Sequence, residues 1–273
     1  MDAENKLKNL EGIIKKMDSV LVAFSGGVDS SFLLKVASKV LDGNVVALTA
    51  VSPTYENDEL KGAKKLASDM GVRHIIVESN ELDIPGFSQN DARRCYYCKT
   101  ELFNIAWEKA NELGLKHVAY GSNLDDLQDY RPGMEAAKEM KISSPLVDAK
   151  LTKKDVRRLS KSIKLANWNK PALACLSSRF PYGTEITTDK LKMVEESEAY
   201  LHERGFEQCR VRYYGDTARI EVDKGDIERF FEADIRNGII DKFKEIGFTY
   251  VTVDLEGYRS GSLNEVLDLP TRH

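Results

Sequence analysis

Ser25-Gly26-Gly27-Val28-Asp29-Ser30 is the first segment whose residue types and spacing suggest chemistry. It follows the short apolar run Val20–Phe24 and leads into a helical pattern from Ser30 to Val40. Two adjacent glycines permit a tight turn and let backbone N–H groups come close to an anion. A helix N-terminus directly behind them adds partial positive charge. Ser25 and Ser30 bring hydroxyl donors, and Asp29 is placed to help hold Mg2+ on bound phosphates. The Walker pattern Gly-x-x-x-x-Gly-Lys-Ser/Thr is absent, so this is not the loop of a P-loop NTPase. An ordinary turn capped by serine and aspartate is the plainer reading. The complete hexapeptide behind an apolar strand favours phosphate binding over it.

Two further sets of side chains carry chemical potential. Cys95 and Cys98 form a Cys-x-x-Cys pair, Cys175 stands alone far along the chain, and Cys209 sits in a strand pattern that suits a buried small apolar residue. In a reducing compartment such a pair points to metal or redox chemistry before a structural disulfide. By itself it fits a zinc half-site or a redox couple, but His74, His117 and His202 show no ligand spacing to it. Arg210 and Arg212 alternate along a strand and so share a face, where guanidinium groups grip phosphate bidentately when they are not simply solvated. Glu195, Glu198 and Asp226 are weaker acid–base or metal candidates, each better read as a carboxylate on a helix surface.

These residues need a scaffold, and the pattern of the first half supplies one. Strands at Val20–Phe24, Asn44–Val51, Arg73–Val77 and His117–Tyr120 alternate with helical stretches at Ser30–Val40, Asp58–Met70 and Thr100–Leu113. Such alternation predicts an α/β fold with a doubly wound parallel sheet. Pro171, Pro181 and Gly183 punctuate the stretch that follows. Beyond it a helix at Thr188–Arg204, strands at Cys209–Tyr214 and Ala218–Val222, a helix from Gly225 to Ile246 broken near Asn237-Gly238, and a strand at Phe248–Asp254 predict a smaller α+β domain. The expected division is a domain over 1–170, a connecting loop over 171–187 that carries Cys175, and a small domain over 188–273.

Net charge is −4, from 40 basic and 44 acidic residues. That balance gives no global attraction for nucleic acid, so a nucleic-acid partner is not expected. No apolar run is long enough to cross a bilayer, and Met1–Lys16 lacks the apolar centre of a signal peptide. The expectation is a cytoplasmic protein without a membrane partner.

The hexapeptide resembles the PP-loop of the ATP pyrophosphatases, the adenine nucleotide alpha-hydrolase-like group. Members cleave ATP between the α- and β-phosphates, releasing pyrophosphate and leaving AMP on a substrate oxygen. Thr49-Ala50-Val51-Ser52 falls where relatives contact adenine, which implies Ala50 and Ser52 as ATP contacts. Gly121-Ser122-Asn123-Leu124-Asp125-Asp126 resembles the Gly-Thr/Ser-Asn-x-Asp-Asp segment of amidating and sulfur-inserting members and implies Gly121, Asn123 and Asp125 as further contacts. In open α/β sheets, ligands lie beyond the carboxyl ends of the strands, where all three segments are expected to converge.

Arg93-Arg94-Cys95-Tyr96-Tyr97-Cys98-Lys99, Asp129-Tyr130-Arg131-Pro132-Gly133 and Ala172-Leu173-Ala174-Cys175-Leu176-Ser177-Ser178-Arg179 extend the likeness, with Phe180-Pro181-Tyr182-Gly183, Arg210-Val211-Arg212 and Gly257-Tyr258-Arg259-Ser260-Gly261-Ser262. Together they resemble the LarE-type sulfur transferases, over essentially the whole chain. The resemblance implies that ATP adenylates a carboxylate of pyridinium-3,5-biscarboxylic acid mononucleotide, and that sulfur displaces AMP to give a thiocarboxylate, in the synthesis of a nickel-pincer nucleotide cofactor. It places the substrate phosphate on Arg179, Arg210, Arg212 and Arg259, and sulfur delivery on Cys175.

In one version of the family the cysteine at the Cys175 position gives up its own sulfur and becomes dehydroalanine. This chain departs from that version by carrying Cys95 and Cys98, and three cysteines suit a [4Fe–4S] cluster with one iron open to an extra sulfide. The resemblance to the cluster-containing branch favours that source. Relatives imply a homo-oligomer. The alternatives are a cluster-dependent tRNA thiolase of the same group, an amidating synthetase in which three cysteines have no evident task, and a nucleotide sensor without turnover, against which Asp29 and Cys175 count.

Overall fold

The computed structural model describes residues 2–128, 132–171, 174–259 and 261–266. Asp129, Tyr130 and Arg131, Ala172 and Leu173, and Ser260, all quoted among the family motifs, lie outside the described residues. The chain forms two compact units: residues 1–81 with 93–173, and residues 82–92 with 174–273.

In chain order the first unit contains α1 (Ala3–Lys15), β1 (Val20–Ala23), α2 (Val28–Val40), β2 (Val45–Val51), α3 (Asn57–Asp69) and β3 (Arg73–Glu78). The short α4 (Pro85–Ser88) belongs to the second unit. The first unit resumes with α5 (Arg94–Glu112), β4 (His117–Tyr120), α6 (Pro132–Glu139), α7 (Pro145–Asp148) and α8 (Lys153–Ser162). Its four strands are all parallel, in the order β3-β2-β1-β4, with Val20 opposite both Val45 and His117. Alternate β1 residues enter different cores: Val20 and Val22 pack with residues of α1, α2 and α8, while Leu21 packs with residues of α5 and α6. A sheet buried on both faces is why β1 reads as an unbroken apolar run rather than an alternating one. The expected doubly wound α/β fold is present.

The second unit continues with α9 (Thr188–Glu203), β5 (Cys209–Tyr214), β6 (Thr217–Val222), α10 (Ala233–Ile246) and β7 (Tyr250–Val253). β5 and β6 are antiparallel and β6 and β7 parallel, with Phe206, Val211, Ile220, Phe243 and Phe248 in the core. Cys209 is fully buried there. The helix expected over 225–246 is interrupted, but at Glu232, whose backbone is extended (ψ 127), and not near Asn237-Gly238. Gly238 lies inside α10, where an added Cβ would stand 2.9 Å from the Tyr200 hydroxyl. That glycine permits close packing on α9 and does not stop the helix. No helix among the described residues is long and apolar enough to cross a membrane.

Candidate functional site

The strand order 3-2-1-4 reverses direction between β1 and β4, so the crevice beyond their carboxyl ends is the topological switch point of the sheet. Ser25–Ser30 leaves β1 there, Gly121–Asp126 leaves β4, and Ala50 near the end of β2 and Ser52 just past it lie at the same end of the sheet. The helix behind the loop begins at Val28, two residues before the expected Ser30, so Asp29 and Ser30 stand in its first turn. Gly27 is the N-cap and makes no side-chain hydrogen bond to the start of α2, a helix end whose partial positive charge suits an anion.

Small contacts hold the loop in shape. The Ser25 and Ser30 hydroxyls lie 3.1 Å apart, the Gly27 N–H donates to Ser25 Oγ at 3.3 Å, and Ser30 Oγ donates to the Gly27 carbonyl at 3.2 Å. Gly26 adopts φ +71, and a Cβ there would meet the Ala63 Cβ of α3 at 3.0 Å. Gly121 is tighter still: its Cβ would stand 2.6 Å from the Ser30 nitrogen, so β4 reaches the first turn of α2 only with glycine at this position.

Asn167, Tyr55, Thr54 and Glu81, which carry no sequence motif, complete the frame together with Thr49, Ser52 and His74. Asn167 Nδ2 donates to the Gly26 carbonyl and to Ser31 Oγ, both at 2.9 Å. The Tyr55 hydroxyl donates to the Ser25 carbonyl at 2.8 Å, and burial, aided by Glu59 and Glu56, holds that phenol far above its ordinary range. Thr49 Oγ1 donates to the Phe24 carbonyl at 2.6 Å and lies 2.8 Å from His74 Nε2. Burial, with Lys64 nearby, keeps that imidazole below its usual pKa. Ser52 donates to the buried Glu81 carboxylate at 2.5 Å, as does Thr54. This contact braces the turn after β2.

Lys153, the first residue of α8, joins the two acidic segments. Its ammonium pairs with Asp29, and its backbone N–H donates to Asp125 Oδ2 at 2.9 Å. Asn123 Oδ1 accepts from the Asp125 N–H at 3.0 Å, and Asp126 accepts from Ser122 Oγ and from the Asn123 N–H. Two carboxylates tied to one residue at adjacent strand ends are the oxygen-donor chemistry that suits Mg2+.

The cysteines fall in different units. Cys95 is exposed and Cys98 half-buried, both within the first five residues of α5, which starts at Arg94 rather than at the expected Thr100. Spaced i and i+3, they lie on one helix face. Gly133 of α6 packs against this stretch, where a Cβ would come within 2.7 Å of Lys99 Cγ and 3.2 Å of the Cys95 carbonyl. In the second unit, Cys175 is exposed at the head of the 3-10 turn Leu176–Arg179. Among the described residues no group of three His, Cys, Asp or Glu side chains is placed to hold a metal ion.

Of the four arginines expected on a substrate phosphate, Arg179 is fully buried and bidentate to Glu198, at 2.9 and 2.6 Å. Glu198, expected on a helix surface, is buried for the same reason. Arg212 pairs with Glu221 at 2.6 Å and donates to the Ser178 carbonyl at 2.8 Å. Arg210 is buried, with its guanidinium 5.5 Å from the centre of the Tyr258 ring, and Arg259 pairs with Glu256 and Glu265. Arg179 and Arg212 thus meet at the Ser178 turn. Asp226 pairs with Arg229 at 3.0 Å.

The asparagine synthase family model matches residues 15–88, the stretch that holds the loop, β2 and β3. Over nearly full length, the chain is 46% identical to an uncharacterized protein of Synechocystis sp., covering 97% of this chain and 98% of that one. It is 37% identical to the pyridinium-3,5-bisthiocarboxylic acid mononucleotide synthase of Lactiplantibacillus plantarum, covering 96% of this chain and 95% of the relative. An uncharacterized protein of Methanocaldococcus jannaschii is 32% identical over 93% of this chain and 96% of its own. With a phosphate loop of this construction and a named relative matched from end to end, this chain belongs to the LarE-type family of ATP-dependent sulfur transferases.

Proposed function

We propose that this enzyme adenylates a carboxylate of pyridinium-3,5-biscarboxylic acid mononucleotide and replaces the AMP by sulfur, giving a thiocarboxylate. The full-length match to the Lactiplantibacillus plantarum synthase carries this reading. The loop at the switch point supports it chemically.

The triphosphate lies against the N–H groups of Gly26, Gly27 and Val28 and the hydroxyls of Ser25 and Ser30, and the adenine lies by Ala50 and Ser52. Gly121, Asn123 and Asp125 close the opposite side. Mg2+, held by Asp29, would offset the phosphate charge. The substrate carboxylate oxygen attacks the α-phosphorus, the α–β bridging bond breaks, and pyrophosphate leaves with its electron pair. Positioning and electrostatic stabilisation suffice for such a step. A carboxylate is a poor acyl donor until AMP becomes its leaving group. Arg210, Arg212 and Arg259 take the nucleotide phosphate, the last two by exchanging their present carboxylate partners.

Sulfur then attacks the acyl-adenylate carbon and AMP departs. We place delivery at Cys175, whose thiol is exposed. A [4Fe–4S] cluster held by Cys95, Cys98 and Cys175 would supply a sulfide at its open iron. The two exposed or half-exposed thiols on one turn of α5 fit two of its three thiolate positions. Without a cluster, the Cys175 thiolate forms a thioester. Loss of the Cα proton then breaks the Cβ–S bond, leaving the thiocarboxylate and dehydroalanine.

Two assays test this reading. Anaerobic protein with MgATP releases pyrophosphate on addition of the dicarboxylate nucleotide and not on addition of total tRNA; the reverse pattern would assign it to the tRNA thiolases. Iron and acid-labile sulfide in cluster proportion, lost in Cys95→Ala, support the cluster. Dehydroalanine at position 175 after turnover, with no iron, would make Cys175 the donor.

A further inference from the structure

The only exposed thiol of the second unit among the described residues stands on an unusual foundation. Arg179, four residues after Cys175, has no exposed surface, and it is flanked by the buried Leu176 and Phe180. One edge of its guanidinium is fixed by Glu198, with Nε and the second terminal nitrogen donating to the two carboxylate oxygens at 2.9 and 2.6 Å. Glu198 is fixed in turn: its Oε1 also accepts from the Val211 N–H of β5 at 2.8 Å. The remaining nitrogen of Arg179, Nη1, reaches back to the Ala174 carbonyl and to the Cys175 carbonyl, the latter at 3.0 Å. The Ser178 N–H donates to the same Cys175 oxygen at 2.9 Å.

A buried ion pair is a poor way to gain stability, since apolar side chains of similar volume serve as well or better. What the guanidinium supplies that an apolar group does not is a planar fork of donors. Here that fork ties sheet and helix to two successive carbonyls beside the thiol. We infer that the Arg179–Glu198 pair is a positioning device: it holds the backbone at Ala174 and Cys175 still, so that the exposed thiol meets the acyl-adenylate in one geometry. Arg179 then acts through Cys175 and not on the substrate phosphate. The inference rests on Cys175 as the point of sulfur delivery.

Two variants test it. Arg179→Met with Glu198→Met removes the pair without stranding a charge. Arg179→Lys keeps the charge and loses the fork, and it carries the test if the double variant does not fold. In both, amide exchange across 174–178 accelerates by about tenfold, the scale of one lost hydrogen bond, while the β6 amides keep their protection. With substrate, thiocarboxylate formed per pyrophosphate released falls by about tenfold or more, because adenylation outruns a mispositioned thiol. Unchanged exchange across 174–178 would overturn the inference. So would a raised KM for the nucleotide with an unchanged product-to-pyrophosphate ratio, the signature of a phosphate ligand. Should wild-type protein release no pyrophosphate with this nucleotide, the substrate reading fails, while the exchange measurement still reports on the clamp.

Discussion

Lys153 and Asp29 are ion-paired across 124 residues of chain. The loop Ser25–Ser30 contains no basic residue, yet the pyrophosphate leaving group carries several negative charges. The Lys153 ammonium is a cation that the fold brings to the first turn of α2. If Asp29 takes Mg2+ when the nucleotide binds, the ammonium is released towards the phosphates. Lys153→Met therefore lowers kcat/KM for ATP by about 10- to 100-fold, the value of a charge-assisted hydrogen bond. Steady-state pyrophosphate release checks this, and an unchanged kcat/KM would remove Lys153 from the site.

Gly121 is fixed by contact and not by backbone conformation. A methyl group there would overlap the Ser30 nitrogen at 2.6 Å and the Ser30 Cα at 2.8 Å, both backbone atoms that cannot swing aside. Gly121→Ala is expected to cost about 1–3 kcal/mol of stability, as overpacking does, and to weaken ATP binding by prising β4 from α2. Urea unfolding and nucleotide titration measure the two effects. Full stability in the variant would show that the approach is loose.

His74 links the loop to pH. Burial, together with Lys64, depresses its pKa below the ordinary 6.5, so the folded protein holds the ring neutral, 2.8 Å from Thr49 Oγ1. The unfolded chain takes up a proton first as pH falls. The stability from this group is therefore present above about 6.5 and is lost as pH drops through the lower folded value. The melting temperature of wild type should fall between pH 7 and pH 5 more steeply than that of His74→Gln. Parallel curves would contradict this.

The parts of the site set by neighbouring residues are the parts legible in the sequence. A strand, two glycines and a helix define the loop locally, and a strand that feeds both cores announces itself as an unbroken apolar run. Lys153 and Asn167 were not legible, because each acts on the loop from more than a hundred residues away. The start of α5 is not legible because Arg94–Lys99 has no apolar period; Tyr96 instead carries the Arg93 guanidinium over its ring and donates to Glu139 at 2.6 Å. Glu198 reads as a surface carboxylate until its partner is known, since only the pairing with Arg179 makes its burial tolerable.

The proposed activity is the replacement of oxygen by sulfur in an adenylated carboxylate, and mass spectrometry of the nucleotide product tests it most directly. Anaerobic wild-type protein is given MgATP, a sulfide source and pyridinium-3,5-biscarboxylic acid mononucleotide, beside Cys175→Ala. The expected product is a nucleotide with one carboxylate oxygen replaced by sulfur, formed together with AMP and pyrophosphate, and absent with Cys175→Ala. Recovery of the unaltered dicarboxylate, or of an amide, from active wild-type enzyme would contradict it.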